Sequence, residues 1–180
     1  MKGIIICGYP GVGKSSIAGW NNCIDLESSL FSHQPRAINH KNPIDDTTYT
    51  TIPIRINNWV PQYCKVAIDL AYQGYTVLTS THRAVIEYFL FEKYYPENVA
   101  GVVIFCPDHR YKKEWIERLT ERYAKTMNSK DERALNRVID HFDDDIHFLN
   151  NCGLPVYIPA AMDYDLKDYI TMIQNTRCLE

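Results

Sequence analysis

The chain has 180 residues, of which 46% are hydrophobic and 23% charged, as in ordinary globular proteins. Its formal charge of −3 and isoelectric point near 6.1 argue against a large basic surface for nucleic acid. No apolar run approaches the roughly 20 residues that span a bilayer, and the N-terminus lacks a secretory pattern. We therefore expect one domain over residues 1–180, in the cytoplasm, with no nucleic-acid or membrane partner. The sequence leaves the oligomeric state open.

Cysteines are dispersed along the chain. None of the six lies in a C-x-x-C arrangement of the kind that holds zinc. Cys7 and Cys106 end apolar runs, where a reduced thiol packs as a small hydrophobic group. We expect free thiols in a reducing compartment.

Predicted strands and helices alternate along the chain. Apolar runs predict strands at residues 2–7, 23–26, 76–80, 102–106 and 155–159. Helix-compatible runs occupy residues 14–20, 59–73, 84–93, 111–127, 130–149 and 166–175. Residues 32–58, rich in proline and polar side chains, are predicted to form a loop insertion that faces the substrate. Most strands are apolar throughout, which predicts a three-layer α/β fold with a central parallel sheet of about five strands.

The carboxyl ends of the predicted strands indicate where a ligand would bind, because ligands of parallel α/β sheets lie beyond those ends. Five residues are predicted to border one cleft there: Gly8, Asp25, His82, Pro107 and Ala160.

A glycine-rich sequence follows the first predicted strand directly. It reads Gly8, Tyr9, Pro10, Gly11, Val12, Gly13, Lys14 and Ser15, which matches G-x-x-x-x-G-K-[ST] at every fixed position, and Ser16 comes next. Glycines let successive backbone N–H groups turn toward phosphate oxygens, and a following helix adds the positive end of its dipole. The pattern predicts a phosphate-binding loop, or P-loop, at residues 8–16. In it, Lys14 contacts the β- and γ-phosphates of ATP and the Ser15 hydroxyl ligates Mg²⁺.

The rest of the sequence narrows the class of P-loop protein. GTPases carry N-K-x-D and D-x-x-G motifs, and neither occurs. Motor and remodelling ATPases place an aspartate after an apolar strand, whereas the strand predicted at residues 76–80 runs into Thr81, His82 and Arg83. The usual acidic Walker B residue is missing, which argues against an energy-transducing ATPase.

These features resemble the P-loop nucleotide kinases, in particular the small nucleoside-monophosphate-kinase-like proteins of bacteriophages. Three further segments carry the resemblance: residues 25–29 (Asp-Leu-Glu-Ser-Ser), residues 80–82 (Ser-Thr-His), and Lys113, Arg118 and Arg122 after Pro107. The last segment looks like the basic lid helix of those kinases, at about residues 108–127. The resemblance implies phosphoryl transfer from ATP, with Mg²⁺, to a (deoxy)nucleoside monophosphate. It also implies the host cytoplasm as location if the chain is phage-encoded.

Asp25 lies at the predicted end of the second strand, on the P-loop side of the sheet. In the kinases that the chain resembles, an aspartate here binds Mg²⁺ through water or accepts a proton from the acceptor. The resemblance therefore gives Asp25 a catalytic, substrate-binding and metal-binding role. Glu27 competes for that role as a second substrate-binding carboxylate. The alternative is that Asp25 caps a turn or the next helix.

Arg118 and Arg122 are four residues apart and share one face of the predicted lid helix, with Lys113 somewhat off that face. Guanidinium groups bind phosphate oxygens in a bidentate manner and neutralise charge that develops during transfer. We expect both arginines to be catalytic and Lys113 to contact substrate, with Arg110 as a further cation. A solvated helix is the alternative, because three glutamates interleave with these cations: Glu114, Glu117 and Glu121.

Other side chains near the predicted cleft carry less information. His82 and Arg83 are predicted to bind substrate, although a lone histidine is more often structural. Trp59 and Tyr63 either stack on a nucleobase or, as their helical spacing favours, belong to the core. Additional phosphate-binding candidates are Arg36 and Arg55. The acidic run at residues 143–145 is predicted to be a solvated helix face.

The sequence as a whole predicts a kinase for a small nucleotide acceptor. The acceptor is expected between the insertion at residues 32–58 and the sheet edge, with the basic helix closing as a lid. Two alternatives stay open: a kinase of another small metabolite, and a non-catalytic regulator that binds nucleoside triphosphates.

Overall fold

The computed structural model describes residues 2–34, 54–92, 95 and 99–177. Most of the predicted insertion, including Arg36, lies outside the described residues, as do Cys178 and the side chain of Arg55. The predictions made for those residues stay predictions.

Seven strands and six helices are described, joined by three short 3₁₀ turns. The strands are β1 (Gly3–Gly8), β2 (Cys23–Asp25), β3 (His33–Gln34), β4 (Ile54–Arg55), β5 (Thr76–Ser80), β6 (Val99–Phe105) and β7 (Val156–Tyr157). The helices are α1 (Ser29–Ser32), α2 (Val60–Tyr72), α3 (Arg83–Phe91), α4 (Lys112–Thr126), α5 (Ser129–Asn151) and α6 (Leu166–Arg177). The 3₁₀ turns are Lys14–Ser16, Trp20–Asn22 and His109–Tyr111.

A five-stranded parallel sheet forms the centre of the fold, in the order β2-β5-β1-β6-β7. The isoleucines of β1, Ile4, Ile5 and Ile6, are each at most 1% exposed, so both faces of this central strand are covered. Helices flank the sheet and supply that cover, which is why the strand is apolar throughout. The predicted α/β fold with a parallel sheet of about five strands is confirmed.

The strand order brings three loops together at one edge of the sheet. Gly8 at the end of β1 is paired in register with Ser80 at the end of β5. Asp25 at the end of β2 pairs with Leu78 of β5. The loops after β1, β2 and β5 therefore begin side by side, at the position where parallel sheets bind ligands.

The helix predicted at residues 14–20 is not an α-helix. The chain forms two 3₁₀ turns there, separated by Gly19 at a φ of 84°. Asn21 and Asn22 also have positive φ, of 44° and 61°. Glycine loses the most conformational entropy when it is fixed in a helix, and asparagine tolerates left-handed backbone angles. The helix therefore does not continue, and the chain turns back into β2.

The base of the predicted insertion is more ordered than a loop. Strands β3 and β4 pair in antiparallel fashion, and the Ile56 N–H donates to the Ser32 carbonyl at 2.9 Å. The prediction of an irregular segment is therefore wrong at its two ends, where backbone hydrogen bonds between distant residues form a short hairpin stem.

Helices α4 and α5 pack on one another and are joined by two residues. One apolar stripe of α5 is buried, with members at helical spacing: Leu135, Val138, Phe142, Ile146 and Leu149. The helix starts at an N-cap, where the Asn128 side chain accepts from the Asp131 N–H at 2.8 Å. We call α4, α5 and their connection the helical hairpin. Across the described part of the chain, no helix is both long and apolar enough to cross a membrane.

Candidate functional site

The loop that leaves β1, residues 8–16, is held by hydrogen bonds to its carbonyl oxygens; we call it the glycine loop. The donors are Lys14 Nζ to Gly8 (2.6 Å) and Tyr9 (3.3 Å), Trp115 Nε1 to Pro10 (2.7 Å), Tyr164 Oη to Val12 (3.0 Å) and Ser16 Oγ to Gly13 (2.6 Å). Two donors come from distant segments, so tertiary packing fixes the loop conformation.

Several backbone N–H groups of the same loop, in contrast to its carbonyl oxygens, have no hydrogen-bond partner among the described residues. In the described structure, those of Gly11, Gly13, Lys14 and Ser15 donate to no protein acceptor. Gly11 and Gly13 have φ of 89° and 96°, which turns consecutive peptide groups in different directions. Unpaired N–H groups on one short segment form a concave site that attracts an anion.

Glycine is required at two loop positions by close packing. A Cβ on Gly8 would lie 2.9 Å from Cδ of Lys14. A Cβ on Gly11 would lie 3.0 Å from Nε1 of Trp115 and 3.1 Å from Cδ2 of Leu119, both on α4. At Gly8 the missing side chain leaves room for Lys14, and at Gly11 it lets α4 of the helical hairpin approach the loop this closely.

Lys14 is a partly buried cation directed at the loop. Burial lowers its pKa from 10.5 to about 8, against the opposing effect of the carboxylates of Asp25 and Glu27. A lysine with this pKa is still mostly protonated at neutral pH. Its charge therefore depends on the anions near it, and a bound phosphate would hold it in the charged form.

Ser15 and Asp25 form a hydroxyl–carboxylate pair beside Lys14. The Ser15 Oγ donates to Asp25 Oδ2 at 2.7 Å, so Asp25 reaches the glycine loop from the end of β2. Magnesium is typically held by one or two protein oxygens together with substrate phosphates and water, and this pair fits that donor set. Among the described residues, no group of three or more His, Cys, Asp or Glu side chains suits an all-protein metal site.

A cavity of about 570 Å³ opens in front of the glycine loop; we call it the first cavity. Its lining combines loop residues with Asp25, Glu27 and Ser80, and with Arg122, Lys130 and Asp131 from the helical hairpin. Ser80 stands at the end of β5, and its Oγ is buried with no hydrogen-bond partner among the described residues. The first cavity thus contains cations from both sides, with carboxylates between them.

Arg122 reaches the first cavity from α4 and is paired there with Asp131. Its Nη2 lies 2.6 Å from Oδ1 of Asp131, a carboxylate that is 1% exposed. That oxygen accepts no well-aligned hydrogen bond, so the pair is held mainly by charge. Burial alone would raise the pKa of Asp131, but hydrogen bonds from Thr126 and Asn128 and the charge of Arg122 outweigh it and the pKa is lowered.

Arg118 lines a different space from Arg122. A second cavity of about 390 Å³ lies on the other side of the glycine loop, bounded by Arg118, Tyr164 and residues 165–166. The guanidinium is 5.1 Å from the Trp115 ring and 5.6 Å from the Tyr164 ring, and it donates to the Met162 carbonyl at 2.7 Å. The two arginines were predicted to act from one shared helix face. In the structure they line two different cavities, because the glycine loop lies between those cavities.

A third cavity of about 380 Å³ adjoins the first on the side of α2 and β5. It is lined by Glu27, Ser28, Ser29, Ser32, Trp59, His82, Lys130 and Arg133. The His82 ring packs edge-on against Trp59 at 5.7 Å. Tyr63 lies behind this cavity in the core, where its hydroxyl donates to the Leu26 carbonyl and accepts from the Ser80 N–H.

Two predicted substrate contacts lie away from all three cavities. The Lys113 side chain is 86% exposed and its ammonium is 3.9 Å from Glu117. Arg83 forms an ion pair with Glu87 and lies over the Phe148 ring at 4.6 Å. Arg110 is similarly engaged, through two hydrogen bonds to Asp108. In these positions the side chains have the surface contacts expected of a solvated helix.

The acidic run behind the loop is only partly a solvated face. Asp143 and Asp144 are exposed, but Asp145 accepts two hydrogen bonds from Arg137 at 2.8 and 3.1 Å. The Tyr9 hydroxyl also reaches Asp145, at 3.4 Å, so this carboxylate lies against the glycine loop from the rear.

Sequence reasoning missed Lys130, Trp115 and Tyr164. Lys130 was included only as the first residue of a predicted helix, whereas it lines two of the cavities. Trp115 and Tyr164 bind loop carbonyls that are about 105 and 152 residues away in the chain. No local pattern marks such contacts.

The comparisons with known proteins add no family assignment. Neither a scan against models of protein families nor a search of curated proteins found a match to this chain.

Proposed function

We propose that the chain is a P-loop kinase that transfers the γ-phosphoryl group of ATP, in the presence of Mg²⁺, to a (deoxy)nucleoside monophosphate. The observation that carries the proposal is the glycine loop, with four N–H groups unpaired among the described residues, a partly buried lysine and a hydroxyl–carboxylate pair, at the floor of a cavity that adjoins another. The P-loop pattern and this geometry concern the same residues.

On the donor side, the loop N–H groups and Lys14 would bind the β- and γ-phosphates. Ser15 and Asp25 would hold Mg²⁺, which supplies charge neutralisation and fixes the phosphate geometry. The second cavity, with Arg118 and Tyr164 at its wall, would take the nucleoside end of ATP, because a planar base can stack on an aromatic or guanidinium group.

On the acceptor side, the third cavity supplies the chemistry that a phosphorylated acceptor needs. Lys130 and Arg133 offer positive charge for its phosphate, and the rings of His82 and Trp59, the latter only 7% exposed, line the space left for its base. The hydroxyls of Ser28 and Ser29, which also line this cavity, can bind a sugar. The features that favour a nucleotide over a smaller metabolite are the 380 Å³ volume and the aromatic wall.

Catalysis in this arrangement would come from positioning and charge. Phosphoryl transfer needs two phosphates in line and neutralisation of charge on the transferred group, with little covalent help from protein. Arg122 lines the first cavity and its side chain is 40% exposed, so it would exchange Asp131 for a phosphoryl oxygen. Asp25 would orient the metal at the moment of transfer.

A second function, a regulator that binds nucleoside triphosphate without turnover, is favoured by one observation. The end of β5 carries Ser80 where many hydrolysing P-loop proteins have a carboxylate. If Asp25 does not replace that acid, the loop would bind the nucleotide without transferring its phosphoryl group.

The decisive experiment measures products. The purified protein is incubated with ATP, Mg²⁺ and single acceptors: ribo- and deoxyribonucleoside monophosphates, then sugars and sugar acids. Nucleotides are separated by anion exchange. A nucleoside diphosphate formed together with ADP supports the proposal. Product from a sugar acid alone would favour the metabolite kinase, and calorimetric ATP binding with no product would favour the regulator.

Asp25→Asn tests the acidic residue within that assay. We expect kcat to fall by about a hundredfold or more while the Kd of ATP changes little, because the metal-positioning carboxylate acts mainly in the transition state. Asp69→Asn, at an exposed position of α2, removes the same charge far from the cavities and should behave as wild type. Near-normal turnover of Asp25→Asn would refute the assigned role.

A further inference from the structure

Lys130 is the cation that the first and third cavities share. Both cavities are also lined by Glu27 and Ser28, so these three residues mark the boundary between the two spaces. A phosphoryl group moving from a donor in one cavity to an acceptor in the other must pass this boundary. The side chains there are therefore the ones that face both phosphates.

The position of Lys130 is fixed by the start of α5. The N-cap at Asn128 and the buried carboxylate of Asp131 tie the first turn of the helix to α4. The side chain leaves this turn toward the sheet, where its ammonium forms an ion pair with the carboxylate of Glu27. The pair joins residues 103 positions apart and connects the helical hairpin to the loop after β2.

The pair is suited to exchange its partners. The side chains of Lys130 and Glu27 are 52% and 33% exposed, so water competes with each and the net stabilisation is small. Lys130 is also close enough to Lys14 to lower the pKa of that residue. Two ammonium groups that repel one another across a cavity favour a polyanion between them.

We propose that Lys130 is a catalytic residue that bridges the donor and acceptor phosphates, and that Glu27 holds its ammonium while no nucleotide is bound. This inference rests on the proposed kinase function. Phosphates entering the two cavities would replace Glu27 as the partner of Lys130, since a phosphate carries more charge and more acceptor oxygens than a carboxylate.

The chemical step leaves Lys130 unchanged. A phosphate oxygen of the acceptor forms a bond to the γ-phosphorus, and the bond from that phosphorus to the β–γ bridging oxygen breaks. The bridging oxygen keeps the electron pair and leaves on ADP. Lys130 keeps its three protons throughout and neutralises charge on the transferring group and on the acceptor phosphate.

The test compares ATP with adenosine 5′-tetraphosphate, whose fourth phosphate extends beyond the γ position toward the third cavity. Calorimetry gives the Kd of each with wild type, Lys130→Gln, Lys130→Arg and Lys125→Gln. Lys125, exposed on α4 and outside the three cavities, is the control for loss of one positive charge from the hairpin. Lys130 is half exposed, so its replacement leaves the core intact.

We expect wild type to bind the tetraphosphate about tenfold more tightly than ATP, as one added charge-assisted contact allows. Lys130→Gln should lose this preference, Lys130→Arg should keep most of it, and Lys125→Gln should keep all of it. With an active acceptor, Lys130→Gln should also lower kcat by about a hundredfold while changing the Kd of ATP by less than about threefold.

The ratio of the Kd of ATP to the Kd of the tetraphosphate tests the inference even if the protein shows no turnover. A wild type that phosphorylates no acceptor would refute the kinase, while a preference lost only in Lys130→Gln would still support the bridging contact. Absence of the preference in wild type, or its retention in Lys130→Gln, would overturn the inference whatever the activity.

The holding role of Glu27 is tested by a double-mutant cycle. Glu27→Gln should tighten tetraphosphate binding about threefold in the wild-type background, because the ammonium no longer has to leave a partner. The same change should have no effect in the Lys130→Gln background. An equal effect in both backgrounds would mean that Glu27 only repels the anion, and would overturn its role as the holder of Lys130.

Discussion

The glycine loop and the helical hairpin both supply positive groups to the first cavity, but they are stabilised in different ways. From outside, the loop is fixed by neutral donors, Trp115 and Tyr164, which bind its carbonyl oxygens, and the N–H groups at residues 11 and 13–15 have no acceptor among the described residues. The hairpin cations, Arg122 and Lys130, are paired with carboxylates. The loop is therefore ready for an anion before one binds, whereas the hairpin must first release its own anionic partners.

In the proposed kinase, this difference would separate binding from catalysis. A site formed in advance contributes to affinity at little cost in reorganisation. Groups that change partners when substrate arrives can act more strongly in the transition state than in the ground state, which is the condition for raising kcat. We expect loop substitutions to change affinity and turnover together, and substitutions of Arg122 and Lys130, the hairpin cations that line the first cavity, to change mainly turnover.

The largest expected effect is at Lys14. Lys14→Ala should abolish detectable transfer and weaken ATP binding by about a hundredfold or more, because the residue would contact the β- and γ-phosphates. The fold should survive, as shown by an unchanged circular dichroism spectrum. Unchanged ATP affinity of the folded variant in calorimetry would disprove the loop as the nucleotide site.

The next largest effects are expected at the two arginines of α4, which should affect different kinetic constants. Arg122→Ala should lower kcat by roughly a thousandfold with little change in the Kd of ATP, as for an arginine that stabilises the transition state. Arg118→Ala should instead raise the KM for ATP by about tenfold and leave kcat nearly unchanged, because Arg118 lines the second cavity. If both variants turn over normally with an unchanged KM for ATP, neither arginine acts on a substrate and the lid prediction is wrong.

Asp131 should matter for stability more than for binding. Asp131→Asn should lower the free energy of unfolding by about 2 kcal/mol at neutral pH, because it leaves Arg122 without a charged partner and weakens the cap of α5. The pKa of Asp131 is lowered in the fold. Its stabilisation is therefore complete above the pKa of an unfolded aspartate and is lost as the pH falls through the folded pKa.

Urea unfolding at neutral and acidic pH measures this effect, with Asp140→Asn, exposed on the same helix, as the control. A difference between wild type and Asp131→Asn that does not shrink in acid would contradict the charged pair.

The smallest effect concerns pH and ATP affinity. Burial lowers the pKa of Lys14 to about 8, and the protonated form is the one that attracts phosphate. Affinity for ATP should thus fall as the pH rises above about 8, by at most about tenfold per pH unit. Burial raises the pKa of Tyr9, so its ionisation does not add to the change over that range. Calorimetry on wild type and Lys14→Gln should show the decline only in wild type; the same slope in both would assign it elsewhere.

Much of the fold follows from local patterns. The apolar strands and the amphipathic helices were predictable because period and composition are properties of neighbouring residues. Strand β5 was predicted at its observed bounds, and α4 differs from its prediction by one residue at each end. The segment after Lys14 was mispredicted, since Gly19, Asn21 and Asn22 adopt left-handed backbone angles that end a helix early.

The candidate site, too, was predictable where it depends on neighbouring residues and unpredictable where it depends on residues far apart in the chain. The sequence by itself determined the glycine loop, because its G-x-x-x-x-G-K-[ST] pattern is contiguous, and it indicated Asp25 through its place after a strand. Only the tertiary structure placed Asp25 at 2.7 Å from Ser15, and only it separated Arg118 from Arg122 into two cavities. Lys130 meets Glu27 because the hairpin folds back over the end of β2. Such a contact joins residues about a hundred positions apart, and no local propensity encodes it.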